Sequence, residues 1–196
     1  MNTSAGPRVF ELRCDMKGRK EEAYDAVLDQ SPEYTSLRFL VIHEGYEPLP
    51  NEVWFWGSLD RIRNLDMLLV DVGWTVISKK MLDALEALGP FPHAVIPVQI
   101  KDASDTGETL EDQYVVLLVT AETHALDRER SEITYMPNGR IRTVKKWVFK
   151  DMDLPPLFKI PENAGPILLS ALAGNALVDG AFKGIHVLPQ EKIGRL

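Results

Sequence analysis

The chain has 196 residues, enough for a domain whose core needs no disulfide or metal to hold it. Hydrophobic residues make up 45% and charged residues 26%, the balance of a folded soluble protein rather than a disordered chain. A net charge of −7 argues against nonspecific nucleic-acid binding, which needs clustered Lys and Arg; the densest basic run is only Arg140, Arg142, Lys145 and Lys146.

Cys14 is the single cysteine, so an intramolecular disulfide is excluded. Met1 to Arg8 is polar and lacks the apolar core of a signal peptide. No run reaches the roughly 18 apolar residues of a membrane helix. These features lead us to expect a cytoplasmic protein that does not contact a membrane.

Val9 to Arg13 alternates like a short strand. Lys20 to Asp29 is predicted helical, with Ala23, Tyr24, Val27 and Leu28 on one side, and Ser31-Pro32 stops it. Leu37 to Ile42 is strand-like, and Tyr46 to Asn51, with two prolines, is a loop. Val53 to Trp56 is an aromatic strand ending at Gly57. Thr75 to Ile77 is another strand, after which Ser78 occupies the N-cap position of a helix with Met81, Leu82, Leu85 and Leu88 as its apolar stripe. Gly89 and Pro90 close that helix.

Ala94 to Ile100 is a strand that carries Pro97, which places it at an edge or gives it a bulge there. Asp102 to Asp112 reads as a polar loop with five acids and no base. Gln113 to Thr120 is a strand whose apolar run, Tyr114 to Val119, is buried on both faces. Ile133 to Met136 and Arg140 to Phe149 flank Pro137-Asn138-Gly139, a strong hairpin signal. After Leu157 to Ile160, the segment Ile167 to Leu169 leads into Ser170 and a helix weakened by Gly174, repeating the strand-to-capped-helix solution of Ser78. Gly184 to Pro189 is the final strand. Helices flanking runs of strands, with a hairpin in the middle, indicate an α+β fold: a mostly antiparallel sheet with a few flanking helices. Residues 1–60 are expected to be a variable N-terminal region packed on a main domain of residues 61–196.

The chemistry-bearing residues form no recognised catalytic or metal pattern. His43, His93, His124 and His186 have no metal-ligand spacing among themselves or with Cys14. Nucleophile-elbow, phosphate-loop and dinucleotide signatures are absent. We therefore assign no catalytic, metal or cofactor site. The best enzymatic candidate is the cluster Asp127, Arg128, Glu129, Arg130, Glu132, in which Asp127 and Glu129 have the chemistry to hold a divalent ion or act as acid and base. Interleaved opposite charges, however, pair with one another at surfaces, and Asp127 and Ser131 suit a braced turn. The braced turn is the preferred reading. Trp54 and Trp56 share a face of their strand, and core packing is preferred over a binding platform for them.

The order of elements resembles a bacterial polymorphic-toxin immunity family, number eleven of its series, once catalogued as a domain of unknown function. The resemblance spans about residues 66–189. It runs through Val76-Ile77-Ser78 with its helix to Leu85, Pro97 to Ile100, Tyr114 to Leu117, Leu126 to Glu132 and Ile141 to Phe149. Leu157 to Lys159, Leu169-Ser170 and Phe182 to Ile185 complete it. The Leu-Asp-x-Glu-x-Ser core and the late Gly184 are its most characteristic marks.

Such a family implies a small cytoplasmic protein, encoded beside a toxin that it binds and neutralises, with no catalysis and no cofactor. The expected partner is a cognate protein toxin, one with a basic surface if the acidic loop makes the contact. Asp105, Glu108, Glu111 and Asp112 are the expected contact residues, on charge alone. Two alternatives stay open: a small hydrolase using Asp127 and Glu129, and a small-ligand module lined by Trp54 and Trp56.

Overall fold

The structure is a computed structural model that describes residues 7–16, 24–30, 49–104, 106–138 and 141–193. Among the described residues, twelve strands build two sheets and a hairpin. They are β1 (Phe10–Cys14), β2 (Ala26–Leu28), β3 (Val53–Gly57), β4 (Met67–Leu68), β5 (Val76–Ser78), β6 (His93–Asp102), β7 (Thr109–Val119), β8 (Glu132–Tyr135), β9 (Ile141–Lys146), β10 (Leu157–Ile160), β11 (Asn163–Leu169) and β12 (Ile185–Pro189). Three helices accompany them among the described residues: α1 (Leu59–Ile62), α2 (Lys79–Glu86) and α3 (Ala171–Asp179). The small sheet has the order β10-β11-β1-β12, the large sheet β2-β3-β6-β7-β5-β4, and β8 pairs with β9 alone. Every pairing between these strands is antiparallel except β3 with β6. The expected α+β class with a mostly antiparallel sheet is what the chain adopts. The first 60 residues supply β1 to the middle of the small sheet and β2 and β3 to the large one.

Strand β7 is the centre of the large sheet, and its alternation feeds two cores. Val115, Leu117 and Val119 enter a cluster shared with α2 and the small sheet, including Met81, Leu85, Phe158 and Leu169. Tyr114 and Val116 enter a second cluster on the opposite face, with Phe55, Ile62, Trp74 and Ile100. Successive side chains of a strand point to opposite faces, so a strand with a core on each side must be apolar throughout. That requirement accounts for the run Tyr-Val-Val-Leu-Leu-Val.

Both serine caps form. The Ser78 hydroxyl accepts from the Met81 N–H at 3.1 Å, and that of Ser170 from the Ala173 N–H at 3.4 Å. The glycine that weakens α3 by propensity is required by packing: a Cβ on Gly174 would run into the Phe10 ring of β1. Pro97 is tolerated because β3 begins to pair only at Val98, so β6 is an edge up to that point. Beyond it β6 is an interior strand, bulged between Val98 and Ile100.

Two expectations are corrected. The helix expected over Lys20–Asp29 is not formed where it is described: Ala26–Leu28 is strand β2, paired with Gly57, Trp56 and Phe55. Ala26 and Leu28 are buried and Val27 exposed, a period of two that a partner strand rewards more than the helical stripe. Lys20–Ala23 and the strand expected at Leu37–Ile42 lie outside the described residues. The polar loop expected over Asp102–Asp112 is shorter than predicted, because β6 runs to Asp102 and β7 starts at Thr109. Glu111 and Asp112 therefore belong to a strand.

Tyr114 locks this arrangement. Its hydroxyl lies 2.6 Å from the carbonyl oxygens of both Ile62 and Leu65, at the end of α1. Burial, and then the nearby carboxylates of Asp66 and Asp25, push its pKa up to about 12 from 10.0. A raised pKa means the fold favours the neutral phenol. The stabilisation is complete below pH 10 and is lost as pH rises through 12. Tyr114→Phe is expected to lower stability at pH 8 by about 1–3 kcal/mol, chiefly because the Leu65 carbonyl loses this donor, whereas the Ile62 carbonyl keeps the Leu65 N–H at 2.9 Å. It should also flatten the alkaline decline between pH 10 and 12 seen in urea melts of the wild type. A variant with the wild-type alkaline limb would show that Tyr114 does not set it.

Candidate functional site

The acidic end of the β6–β7 hairpin is built by a large bulge. Val98 pairs with Tyr114 and Ile100 with Leu110, so Glu111, Asp112 and Gln113 stand opposite the single residue Gln99. The loop-out is accommodated at Asp112, whose φ of 54° is left-handed, a region that Asp tolerates better than most residues. All three bulge residues are exposed. Glu108 stands at the foot of β7, where it pairs with the Arg63 guanidinium at the end of α1. The Asp112 carboxylate lies 3.8 Å from Lys79 Nζ. Asp105 lies outside the described residues. Of the four acids expected to meet a partner, Glu111 and Asp112 are thus presented together on the bulge, and Glu108 and Asp112 already face cations of this chain.

The charged segment after β7 is a braced turn. The Asp127 carboxylate accepts from the backbone N–H groups of Glu129 and Arg130, at 3.1 and 3.0 Å, and from Arg130 Nε at 2.6 Å. These bonds, the Arg130 side chain foremost, hold the Asp127 carboxyl below the usual carboxylate range. The Ser131 hydroxyl donates to the Val148 carbonyl and accepts from the Val148 N–H, pinning the turn to the segment after β9. Both Asp127 oxygens are thus engaged by donors of the turn itself. Among the described residues, no group of three or more His, Cys, Asp or Glu side chains could hold a metal ion.

Beside this turn lies a cavity of about 500 Å³. Its walls come from three places: the linker His124 to Glu129, Lys150 after β9, and Glu162 in the two-residue turn between β10 and β11. The linker is held on both sides. The Thr123 N–H donates to the Lys159 carbonyl at 2.9 Å, and the Asp127 N–H to the Val148 carbonyl at 2.8 Å. Arg128 leaves its own turn to pair with Glu162, its two nitrogens 3.0 and 2.9 Å from the same oxygen, Oε1. No feature of the sequence marks Glu162. An acid in a hairpin turn is ordinary, and its partner lies 34 residues away.

Trp54 and Trp56 do share a face, but neither enters a core. Trp54 is half-buried and Trp56 exposed. The parallel register Trp54 with Gln99 and Trp56 with Lys101 brings Lys101 Nζ to 4.7 and 5.1 Å from the two ring centroids. The indole N–H groups donate to Glu52 and Asp29, both at 2.9 Å. Core packing is therefore replaced by a cation clasped between two rings, an arrangement that satisfies both indoles on the outer face of the sheet.

This geometry contains a braced charged turn and a bulged acidic edge. The chain matches the family model described as an immunity protein family, Imm11, over residues 8–191. It belongs to that family. No curated protein matches it. The Imm11 match reaches back to residue 8, well before the motifs of residues 66–189 that carry the resemblance. The topology gives a reason: β1 lies between β11 and β12, so the small sheet of this fold has no middle without it. Membership suggests an immunity role, a toxin as partner and a non-enzymatic protein. Among the described residues, no helix is long and apolar enough to cross a membrane.

Proposed function

We propose that this chain is a cytoplasmic immunity protein that binds a cognate bacterial antagonistic toxin and neutralises it without catalysis, by covering or locking the toxin's active surface. The family match across residues 8–191 carries this reading. The contact is assigned to the acidic edge formed by Asp105, Glu108, Glu111 and Asp112, and the partner surface to one rich in Lys and Arg. Three observations support that assignment. The protein carries a net charge of −7, the β7 bulge holds Glu111 and Asp112 out into solvent, and carboxylates can occupy a basic cleft as phosphates do. Asp105 enters by its place in the sequence alone.

The function is tested by expressing the toxin encoded by the neighbouring gene, with and without this chain, in the same host. Growth restored by this chain is the expected result, and equal killing in both cases would remove the reading. The contact is tested separately. Replacing the four acids with Asn and Gln should slow association with the toxin roughly tenfold at low salt and flatten its salt dependence, with a smaller effect on dissociation. An unchanged salt slope would exclude the acidic edge as the contact.

A further inference from the structure

The small sheet covers only part of the large one. On β7 the side chains that face it, Val115, Leu117 and Val119, are buried in the shared core. The pairs Pro97 with Val115 and Val95 with Leu117 place the same face on β6, and the pairs Trp54 with Gln99, Trp56 with Lys101 and Val27 with Trp56 carry it on to β3 and β2. There it bears Val95, Pro97, Lys101, Trp54, Trp56 and Val27, and none of them belongs to either core. Trp56 is 39% exposed, and Val27, directly beside it, 37%. A tryptophan left this open is unusual, because the indole is the largest apolar side chain a fold can bury.

The two rings are fixed in place. Trp54 donates its indole N–H to Glu52 and Trp56 to Asp29, and Lys101 Nζ lies over both rings and 3.6 Å from Asp29. With these rotamers set in the free chain, docking against the rings loses little side-chain entropy. With the N–H donors already engaged, what the rings present is apolar surface. Acids surround it. Asp29 and Glu52 hold the indoles, and Glu111 and Asp112 project from the bulge opposite Gln99, the neighbour of Trp54. Lys101 and Lys79 offset only part of this charge. A second copy of the chain would bring two acidic rims together. An apolar patch bordered by Lys and Arg would match both the rings and the rim.

We propose that the Trp54–Trp56 face is the apolar centre of a protein-docking surface, and that its occupant is an apolar patch bordered by basic residues on the toxin. That the occupant is the toxin rests on the function proposed above. The face is continuous with the acidic edge of β7, and the two act on different steps. The acids steer the encounter, and Trp56 holds the complex once formed. Aromatic anchors inside a polar rim carry most of the binding energy of an interface, and their loss is felt in dissociation.

The test uses the full chain, labelled with fluorotryptophan, and the unlabelled toxin domain encoded by the neighbouring gene. Trp74 and Trp147 are buried, so they serve as internal controls for the exposed Trp56. In the free chain TEMPOL, a soluble paramagnetic probe, should broaden the ¹⁹F signal of Trp56, assigned with Trp56→Phe, and leave those of Trp74 and Trp147 sharp. Toxin should shift the Trp56 signal and shield it from TEMPOL. Trp56→Ala should speed dissociation at least about thirtyfold while association changes less than about threefold. Val27→Lys, a change at an exposed position, should weaken binding about tenfold by setting a cation against a basic surface. Circular dichroism checks that both variants fold, and the ¹⁹F measurement on the wild type needs neither. A bound toxin that leaves Trp56 open to TEMPOL, or dissociation within about twofold of wild type in both variants, would overturn the proposal and leave neutralisation standing. A Trp56 signal that moves with the chain's own concentration would make a second copy the occupant and overturn it as well. Absence of any complex with the wild-type chain would remove the proposed function together with this contact.

Discussion

Gly184→Ala is expected to lower stability by about 3 kcal/mol, a fall in Tm of roughly 10 °C. Two independent penalties combine at this residue. Its φ is 80°, where a side chain strains the backbone. A Cβ there would also sit 2.5 Å from the Met67 carbonyl oxygen, a backbone atom with little room to move. The reason for this close approach lies in how the two sheets meet. Strand β4 is one edge of the large sheet and β12 one edge of the small sheet. They are joined where the N–H groups of Asp66 and Met67 donate to the Lys183 carbonyl, at 2.7 and 3.2 Å. On the other side, the Asp15 N–H after β1 donates to the Gly184 carbonyl at 2.9 Å. Pushing Met67 away from residue 184 would loosen both attachments. A thermal melt of the purified variant checks this, and a Tm within about 2 °C of wild type would show that the junction tolerates a side chain.

Asp66→Ala is expected to cost about 3–5 kcal/mol, through stranded donors rather than lost packing. The Asp66 side chain is nearly buried and closes the same junction from inside. Its Oδ1 accepts from the Ser78 hydroxyl at 2.9 Å, and its Oδ2 from the Lys183 N–H at 2.8 Å. The Ser78 N–H donates to the Asp66 carbonyl as well, at 2.8 Å. Ser78 caps α2, so one carboxylate ties the cap of that helix to the approach of β12. Lys80 Nζ, at 3.7 Å, adds an exposed partner worth little. Asp66→Asn should fall between wild type and Ala, since it keeps one acceptor but turns an NH₂ toward one of the two donors. Urea denaturation of the three proteins gives the order directly. Equal stability of Ala and wild type would mean that the junction is held by its backbone bonds alone.

Local signals were legible in the sequence wherever the deciding interaction was local. Ser78 and Ser170 cap the helices that follow them, because an N-cap depends on residues two or three positions away. The double burial of β7 was legible in Tyr114 to Val119, because a strand between two cores has nowhere to put a polar side chain. What escaped was set by distant partners. Ala26 to Leu28 looks helical until β3, some thirty residues on, offers an edge to pair with. Lys101 sits over Trp54 and Trp56 only through the parallel register of β6 and β3, which no local pattern reveals. Glu111 and Asp112 read as loop because the bulge breaks the period-two alternation that marks a strand.

The candidate sites divide in the same way. Asp127 and Ser131 were readable as turn-bracing residues from their spacing, and the backbone bonds of the turn follow that spacing. Glu162 was not readable, since its burial and its pairing with Arg128 depend on the β10–β11 turn folding back against the linker after β7.

The central claim is that this chain neutralises a toxin by binding it. The most direct measurement is a titration of the purified toxin domain, encoded by the neighbouring gene, with this chain while the toxin's own activity is followed. The account predicts that activity falls linearly and is abolished near one equivalent, with a stable complex recovered by size-exclusion chromatography. Full toxin activity in the presence of a large excess of this chain, with the two proteins eluting separately, would contradict it.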